Sequence, residues 1–341
     1  MDKKINIGII GCGHWGPNFV RNFSQMPNIE IAGVCDSSRE KLAQIKEVYN
    51  NINTYGCYSD LLNNDGVDAV VISTPASTHY KITKEALHRN KHVLVEKPLS
   101  LKAKESEELL RISGKKKKVL MVGHTFLFNP AVNKIKEIIK SKELGRIYYI
   151  HCRRTNLGPL RKDVNAIWDL SPHDISIVNY IIGRMPLEVS AYSQGFLAHR
   201  MDDVGFIILK YPKNILVHIH VSWLDPKKIR ETTIIGSKKM LVYEDTNVAE
   251  PIRVYDKQVM KKRYEKPYKD FEEFQLIIRD GRTEMPAVSS DEPLKLECRH
   301  FIDCIRTNKV PLTDAREGLD IVRILEKIEQ SYKTNTTLKI T

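Results

Sequence analysis

Three glycines near the N-terminus have the spacing of a turn that binds phosphate groups. They follow the apolar run Ile5–Ile10 and form the pattern G-x-G-x-x-G, whose residues are Gly11, Cys12, Gly13, His14, Trp15 and Gly16. The first glycine permits a tight bend, the second lets the backbone approach a pyrophosphate, and the third lets the next helix pack closely on the strand. The N–H groups at the start of that helix favour a negative charge. We therefore expect residues 11–16 to bind the pyrophosphate of a dinucleotide.

An acidic residue lies where the adenosine ribose of such a dinucleotide would bind. Asp36 stands 20 residues after Gly16, at the end of a second apolar run, where its carboxylate can accept hydrogen bonds from both ribose hydroxyls. The same carboxylate would repel a 2′-phosphate, so the sequence favours NAD over NADP. Arg39 is the exception to this argument, because an arginine can swing onto a phosphate. We also assign Ser37 to this part of the cofactor site.

The elements that must position these residues alternate between buried strands and helices. Apolar runs predict strands at 5–10, 29–35, 67–73, 92–95 and 119–123, and helical periodicity predicts helices at 17–26, 38–49, 78–90 and 101–113. Near-continuous Val and Ile runs between amphipathic helices are typical of a parallel sheet covered on both faces. The strand at 67–73 ends in Ser73, Thr74 and Pro75, which would face the dinucleotide, although a proline turn before the next helix explains them equally well. We predict a doubly wound α/β domain over residues 1–123.

From residue 124 onward, strands follow one another with few helices between them. The patterns predict helices at 130–141, 172–182, 294–307 and 314–332, and strands at 145–154, 187–196, 204–211, 215–221, 231–236 and 239–243. The polar stretch 256–283 is predicted as an extended excursion. Strands without crossover helices imply a large, mostly antiparallel sheet with one open face. We predict a substrate-binding α+β domain over residues 124–341, and leave open that its C-terminal helices pack back on the first domain.

The composition excludes several other classes of protein. A chain of 341 residues with 42% hydrophobic residues is large and apolar enough for two folded domains. The six cysteines include no C-x-x-C pair, which argues against a thiolate metal site and for a reduced, cytoplasmic protein. No apolar run approaches the roughly 20 residues that cross a membrane. The net charge of +12 is spread over both halves without interleaved aromatic residues, so we expect no nucleic-acid partner.

Four motifs stand in a specific order along nearly the whole chain. They are the glycine motif, Ser73-Thr74-Pro75 followed by His79, Glu96-Lys97-Pro98, and the run from Trp168 through Asp169 and His173 to Asp174. Together they resemble the glucose-fructose oxidoreductase and inositol dehydrogenase family. The resemblance implies NAD(P)-dependent oxidation or reduction of a sugar-like alcohol. It also implies that Lys97, Asp169 and His173 are catalytic, and that His79, Glu96 and Lys97 contact the cofactor.

The chemistry of the three catalytic candidates suits that activity. Hydride removal from a carbinol carbon requires the hydroxyl proton to leave, and histidine is a suitable base at neutral pH. The Lys97 ammonium would lie where negative charge develops on the oxygen. Asp169, one helical turn before His173, can orient the imidazole or hold a substrate hydroxyl. The structural alternatives are a solvated lysine, a helix N-cap at Asp169 and a buried, hydrogen-bonded histidine.

A loop in the second predicted domain is the candidate substrate contact. Arg154 can form bidentate contacts with phosphate and Asn156 can bind hydroxyl and carbonyl groups, although an arginine-rich surface strand would look the same. Trp168 is assigned to a wall of the substrate site, with core packing as its alternative. This pattern is similar to family members that oxidise C3 of UDP-N-acetylglucosamine or its uronic acid.

We therefore expect an NAD-dependent dehydrogenase that oxidises a ring hydroxyl, at C3, of a nucleotide sugar such as a UDP-N-acetylhexosamine or its uronic acid. An inositol or free-sugar dehydrogenase and a ketosugar reductase are the alternatives within the family. A non-catalytic NAD-dependent sensor is the alternative of another class, although such a protein need not keep Lys97, Asp169 and His173 together. By the same resemblance, the open sheet is expected to join chains into a homodimer or homotetramer, with no membrane partner.

Overall fold

The contacts of the chain divide it into two units, each described here by itself. The computed structural model describes residues 4–158, 160–161, 163–197, 201–259 and 278–340. The first unit runs to Phe128 and takes in Asp291–Glu326, while the second consists of Asn129–Ser290 and the residues from Lys327 onward. The boundary therefore lies at residue 128 instead of 123. Residues 291–326 join the first unit because side chains such as Phe301 complete its core.

The first unit is built on a parallel sheet, as predicted, with six strands where the sequence predicted five. Its strands are β1 (Ile5–Ile10), β2 (Ile29–Cys35), β3 (Thr54–Tyr55), β4 (Ala69–Ile72), β5 (His92–Glu96) and β6 (Leu120–Gly123). Their order is β3-β2-β1-β4-β5-β6, and every neighbouring pair is parallel. The order reverses direction at β1, so the crevice expected at such a switch point lies beside the carboxyl ends of β1 and β4.

Helices connect the strands and bury the apolar residues of the sheet. Along the whole chain they are α1 (Gly16–Ser24), α2 (Arg39–Val48), α3 (Tyr58–Asn63), α4 (Ala76–His88), α5 (Ala103–Lys116), α6 (Pro130–Lys140), α7 (Ala166–Ile182), α8 (Pro293–Thr307) and α9 (Ala315–Thr334). In the first unit α8 packs against α1. One continuous core joins α1, α2 and α8 to the sheet, and its fully buried members include Ile7, Ile9, Phe19, Phe23, Leu94, Met121 and Phe301.

The second unit contains a mostly antiparallel sheet, as predicted, with nine strands where the sequence predicted six. Its strands are β7 (Ile147–Leu157), β8 (Glu188–Gln194), β9 (Val204–Tyr211), β10 (Ile215–Ser222), β11 (Leu224–Gly236), β12 (Met240–Glu244), β13 (Ile252–Val259), β14 (Ile278–Glu284) and β15 (Leu338–Lys339). Their order is β14-β13-β12-β11-β7-β10-β9-β8-β15, with only β7 and β10 parallel among these described strands. Helix α7 packs on β7, β9 and β10, and α6 packs on α7.

Two predictions about local structure in this unit were wrong. Helix α7 begins at Ala166 and not at Pro172, because the Asn165 side chain caps it by accepting from the Trp168 N–H at 3.0 Å. The sequence analysis had treated Pro172 as a helix start, where proline is common, but here it lies inside the helix. The predicted excursion at 256–283 instead begins and ends in the paired strands β13 and β14. Residues 260–277 lie outside the described part.

No helix in the described ranges is both long and apolar enough to cross a membrane. In the same ranges, no group of three or more His, Cys, Asp or Glu side chains is arranged to hold a metal ion.

Candidate active site

The turn after β1 has the backbone geometry of a dinucleotide-binding loop. Gly11 has a φ of 100°, and a Cβ there would lie 2.7 Å from the carbonyl atoms of Ser73, so no larger residue fits. A Cβ at Gly16 would collide with the Gly11 carbonyl oxygen. A Cβ at Gly13, in contrast, would meet no described atom within 4 Å, which leaves room for a ligand close to the backbone. These three glycines therefore fit the roles that the sequence predicts for them.

The N-terminus of α1 is suited to bind an anion. The helix has no side-chain cap at Trp15 and no acidic residue in its first turn. His14 and Trp15 are exposed, and their rings meet edge to face with centroids 5.4 Å apart. Burial and the charge of Asp36 raise the pKa of the Cys12 thiol to about 12, so this residue adds no negative charge beside the phosphates at neutral pH.

Asp36 lies directly after β2, next to the glycine turn. Its two carboxylate oxygens accept hydrogen bonds from the Cys12 N–H at 2.7 Å and from the Ser38 N–H at 2.8 Å. Each oxygen keeps a second lone pair, so the carboxylate is fixed in place and can still accept from ribose hydroxyls. Ser37 and Arg39 are exposed beside it. The cation nearest in the structure is Lys41, with its Nζ 4.0 Å from Asp36 Oδ2, which the sequence analysis missed.

The side chains of the residues after β4 make hydrogen bonds within the fold and leave few polar atoms for a ligand. Ser73 Oγ donates to the Gly11 carbonyl at 2.8 Å, and Thr74 Oγ1 shares a hydrogen bond with Thr78 Oγ1 at 2.7 Å. His79 is buried, with Nδ1 2.7 Å from the Pro98 carbonyl oxygen and Nε2 2.9 Å from that of Thr74. The predicted cofactor contact of His79 is therefore corrected: both ring nitrogens join the segments that follow β4 and β5.

Lys97 follows β5 at the same edge of the sheet. The preceding residue, Glu96, is buried, and its Oε2 accepts from the Lys97 N–H at 3.3 Å. Glu96 pairs in register with Gly123, where a Cβ would lie 3.2 Å from the Glu96 carboxyl carbon. Glycine at this position lets the Glu96 side chain lie over β6. Glu96 is therefore buried beside β6, at the edge of the sheet where it was expected to contact the cofactor.

Asp169 and His173 lie in the first half of α7, on one face of the helix. The cap is Asn165, so the alternative role of Asp169 as an N-cap is excluded. A spacing of four residues brings two helical side chains within about 6 Å of each other. Asp169 and His173 are half-buried, whereas Asp174, the residue after His173, is buried. The arrangement can supply a base and a carboxylate that orients it.

Sequence reasoning missed Arg161, which binds one of the catalytic candidates. Its Nη1 donates to Asp169 Oδ1 at 3.1 Å, while Nε and Nη2 donate to the carboxylate of Asp163. A guanidinium in this position fixes the direction of the Asp169 carboxylate. Nothing in the spacing of Arg161 indicates the pairing, because Arg161 lies outside the helix that carries Asp169.

Two predicted substrate contacts, Arg154 and Trp168, are corrected because both side chains are buried, whereas the role of the half-buried Asn156 stays a prediction. Arg154 is 4% exposed, and its Nε and Nη2 donate to the two oxygens of Asp174 at 3.0 and 2.9 Å. Trp168 is 6% exposed, and its indole N–H donates to Glu329 at 3.1 Å. Asn156 donates its amide to the Gly158 carbonyl. Arg154 and Trp168 stabilise the second unit, because a buried polar group needs a partner and each of these two has one within the fold.

The candidate catalytic residues are divided between the two units. Lys97 belongs to the first, whereas Asp169 and His173 belong to the second. That all three meet around one substrate stays a prediction.

Two family profiles match the chain and cover most of it. The profile described as an oxidoreductase family with an NAD-binding Rossmann fold matches residues 5–124, and the GFO/IDH/MocA C-terminal domain matches residues 132–242. The first match supports NAD as the cofactor, in agreement with the expectation from Asp36.

Relatives of known name act on different sugars. The UDP-N-acetylglucosamine 3-dehydrogenase of Acidithiobacillus ferrooxidans is 28% identical over 57% of this chain and 60% of its own length. The inositol 2-dehydrogenase of Salmonella typhimurium is 25% identical over 64% of this chain and 68% of its own. The chain thus spans about three fifths to two thirds of the length of these relatives.

A solved structure has a similar fold. The WlbA dehydrogenase from Bordetella pertussis, in complex with NADH and UDP-GlcNAcA, superposes with a TM-score of 0.80 over 99% of each chain at 21% identity. At this identity the likeness concerns the fold.

The position of Asp36 predicts how the chain distinguishes NADH from NADPH. In Asp36→Asn the charge is lost and one oxygen remains for two backbone N–H groups and the ribose. We expect NADH to bind roughly tenfold to a hundredfold more weakly, and NADPH to be unaffected or to bind more tightly. Fluorescence titration with both cofactors measures the ratio. An unchanged ratio would show that Asp36 does not contact the ribose.

The buried pair of Arg154 and Asp174 predicts a loss of stability and not of substrate binding. Arg154→Met leaves the Asp174 charge buried alone, so the free energy of unfolding should fall by about 3–5 kcal/mol. Arg153→Met is the matched control, because the neighbouring Arg153 forms a half-exposed pair with Asp225 at 2.7 Å and should cost about 0–1 kcal/mol. Urea unfolding of both variants checks the difference. Equal losses would contradict the structural role of Arg154.

Proposed function

Because the chain belongs to the GFO/IDH/MocA oxidoreductase family, we propose that it is an NAD-dependent dehydrogenase of a nucleotide sugar. Its product would be the keto sugar formed by oxidation of a ring hydroxyl, at C3, of a UDP-N-acetylhexosamine or its uronic acid. The observation that carries the proposal is the start of α7, where Asp169 and His173 lie one turn apart and Arg161 fixes the carboxylate. The relative that acts on UDP-N-acetylglucosamine supports the choice of substrate.

The side chains of this chain divide the work of the reaction. When bound, the nicotinamide accepts the hydride that leaves the carbinol carbon. His173 removes the hydroxyl proton, so that the electrons of the O–H bond form the carbonyl as the hydride departs. The Lys97 ammonium donates to the same oxygen and stabilises its developing charge. Asp169, held by Arg161, stabilises the imidazolium that His173 becomes.

Residues of the glycine turn and of β2 would hold the cofactor. The N-terminus of α1 meets the pyrophosphate, the open space at Gly13 admits it, and Asp36 accepts from the adenosine ribose. The site therefore fits NAD through the chain's own backbone and one carboxylate.

An inositol or free-sugar dehydrogenase is the second candidate, and one observation favours it. Arg154, the arginine that was expected to bind a substrate phosphate, is committed to Asp174. A substrate without a diphosphate needs no such arginine. The inositol dehydrogenase relative is consistent with this alternative.

The second unit presents a sheet face that suits contact with a second copy of the chain. Three registered rows cross β8, β9, β10, β7 and β11. They comprise Tyr192, Phe206, His220, Arg153 and Glu231; Ser190, Ile208, His218, His151 and Thr233; and Glu188, Lys210, Leu216, Tyr149 and Ile235. The alternate residues of these strands, such as Ile207 and Ile219, are fully buried on the opposite face.

The charge of this face, hereafter the open face, favours self-association. Its two cations, Lys210 and Arg153, are balanced by Glu188 and Glu231, although the chain carries +12 in total. A second copy therefore meets no net repulsion there. Exposed aromatic rings on the face, among them Phe206 at 44% and Tyr192 at 64%, are typical of the centre of an interface. We propose a homodimer or homotetramer joined through the open face.

A panel of substrates tests the proposed activity. The chain is incubated with NAD and UDP-N-acetylglucosamine, its uronic acid, myo-inositol or free hexoses while NADH formation is followed. We expect the highest kcat/KM with a UDP-sugar. Turnover of inositol and of no UDP-sugar would establish the second candidate instead.

On the best substrate, Lys97→Met should lower kcat by roughly a hundredfold or more, because it removes the cation that stabilises the oxygen. The exposed Lys102→Met serves as the matched control.

The open face predicts the effect of a new charge on assembly. Phe206→Glu places a carboxylate at its centre, and we expect sedimentation velocity to show monomers where the unaltered chain forms dimers or tetramers. Val248→Glu is the control, because Val248 is 90% exposed on a turn outside the open face. A monomeric unaltered chain, or assembly that survives Phe206→Glu, would refute the proposed interface.

A further inference from the structure

His124 lies beside Lys97 at the carboxyl ends of neighbouring strands. Gly123 of β6 is in register with Glu96 of β5, so the next residues, His124 and Lys97, leave the sheet side by side. Neighbouring strands are about 4.8 Å apart, which brings the two side chains within reach of each other. His124 is 1% exposed and has no role in the mechanism above.

Hydrogen bonds between β6 and the segment before α9 hold Glu317 against His124. Its Oε2 lies 3.4 Å from His124 Nε2. The segment before α9 is tied to β6 by two hydrogen bonds, Val122 N–H to the Thr313 carbonyl at 2.8 Å and Thr313 Oγ1 to the Val122 carbonyl at 2.7 Å. Asp314 Oδ1 then accepts from the Glu317 N–H at 2.9 Å. The first turn of α9 is thereby fixed beside His124.

The stability of the fold does not explain this pair. Within the described ranges, neither ring nitrogen of His124 and neither carboxyl oxygen of Glu317 makes a hydrogen bond of normal geometry, although all four atoms are buried. Burying such groups is costly, and two apolar residues would fill the space without that cost. A pair of this kind next to a catalytic candidate points to a role in the reaction.

Burial disfavours a charge on either member of the pair. Burial lowers the pKa of His124 to about 3, and the positive charge of Lys97 acts in the same direction. Burial raises the pKa of Glu317 well above its usual value, as do the charges of Asp314 and Asp320 on the same helix and its cap. A neutral imidazole has one N–H and one lone pair. Since Nε2 faces Glu317, Nδ1 is the nitrogen available to Lys97.

We propose that His124 is a positioning residue for Lys97: its Nε2–H donates to Glu317, and its Nδ1 lone pair accepts from the Lys97 ammonium. The consequence for the reaction rests on the proposed function. A carboxylate in this place would also orient the ammonium, but it would cancel much of the field that stabilises the substrate oxygen. A neutral imidazole orients the ammonium and leaves its charge in full.

Two replacements of His124 separate the roles of its nitrogens. The amide of Asn lies near the place of Nδ1, and the amide of Gln lies near the place of Nε2. We expect His124→Asn to keep kcat within about threefold of the unaltered enzyme and His124→Gln to lose roughly tenfold or more. The reverse order, or equal losses, would overturn the proposal.

The pH profile distinguishes positioning from a loss of structure. Lys97 must stay protonated, so it sets the basic limb of the kcat/KM profile. Without the Nδ1 acceptor its ammonium is less stabilised, so the basic limb should move to lower pH in His124→Gln and stay in place in His124→Asn. A purely structural role would lower the unfolding temperature without moving the limb, and that result would also overturn the proposal.

Glu317 offers a matched pair of variants. In Glu317→Gln the amide oxygen still accepts from Nε2–H, whereas Glu317→Leu has no acceptor and frees the imidazole to take the other tautomer. We expect the Gln variant to keep activity and the Leu variant to resemble His124→Gln. Equal activity of the two would exclude Glu317 from the proposed arrangement.

A measurement without substrate keeps this inference separate from the proposed function. Nitrogen-15 NMR of the full chain, with His124 assigned by its loss in His124→Asn, reports which ring nitrogen carries the proton. We expect Nε2–H and no titration between about pH 5 and 9, with the Nδ1 signal shifted by Lys97→Met. A proton on Nδ1 would refute the proposal. If the NMR result is as expected and no sugar is turned over, the proposed function fails and the His124 contact stands.

Discussion

The parallel register of the first sheet decides where each candidate side chain of that unit can lie. Ile10 of β1 pairs with Cys35 of β2 and with Ile72 of β4, so the residues that follow, Gly11, Asp36 and Ser73, emerge at one edge. The pairing of β5 with β6 brings Lys97 and His124 to the same edge. Five strands thereby supply a turn, a carboxylate, an amine and an imidazole, and the close backbone contacts at Gly11 leave this edge little freedom to change.

The two units treat their buried ionisable groups in opposite ways. The second unit pairs them, as with Arg154 and Asp174, so that each charge has a partner. In the first unit burial opposes the charged form: it lowers the pKa of His124 to about 3 and raises the pKa of Glu317 and of the fully buried Glu297 well above the usual value. An uncharged imidazole beside Lys97 does not compete with the charge of the ammonium, whereas the second unit compensates a buried charge with an opposite one.

The parts that could be predicted from the sequence are those whose signal is local. The glycine turn, Asp36 and the alternation of strands and helices all depend on spacings of a few residues, and the resemblance of four motifs identified the family. The contacts of Arg154 and Trp168 could not be predicted, because their partners are distant in sequence: Asp174 is 20 residues from Arg154, and Glu329 is 161 residues from Trp168. A side chain's type indicates its chemistry, but only the fold determines whether that chemistry is already used. The start of α7 was misjudged because Pro172, a residue type common in the first turn of a helix, lies in the interior of this one.

The first unit is assembled from two stretches of chain that are separated by most of the second. Thr125 binds Glu297 across 172 residues, and Phe301 completes a core that β1 and β5 begin. Proteins are made from the N-terminus at about 5–20 residues per second and fold as their parts emerge. When the ribosome passes residue 128, the core that α1 and α2 form with the sheet still lacks α8, which is made only after residue 291. The cofactor-binding unit is therefore begun first but completed only after most of the second unit has been made, and the growing chain exposes part of its apolar core during that interval.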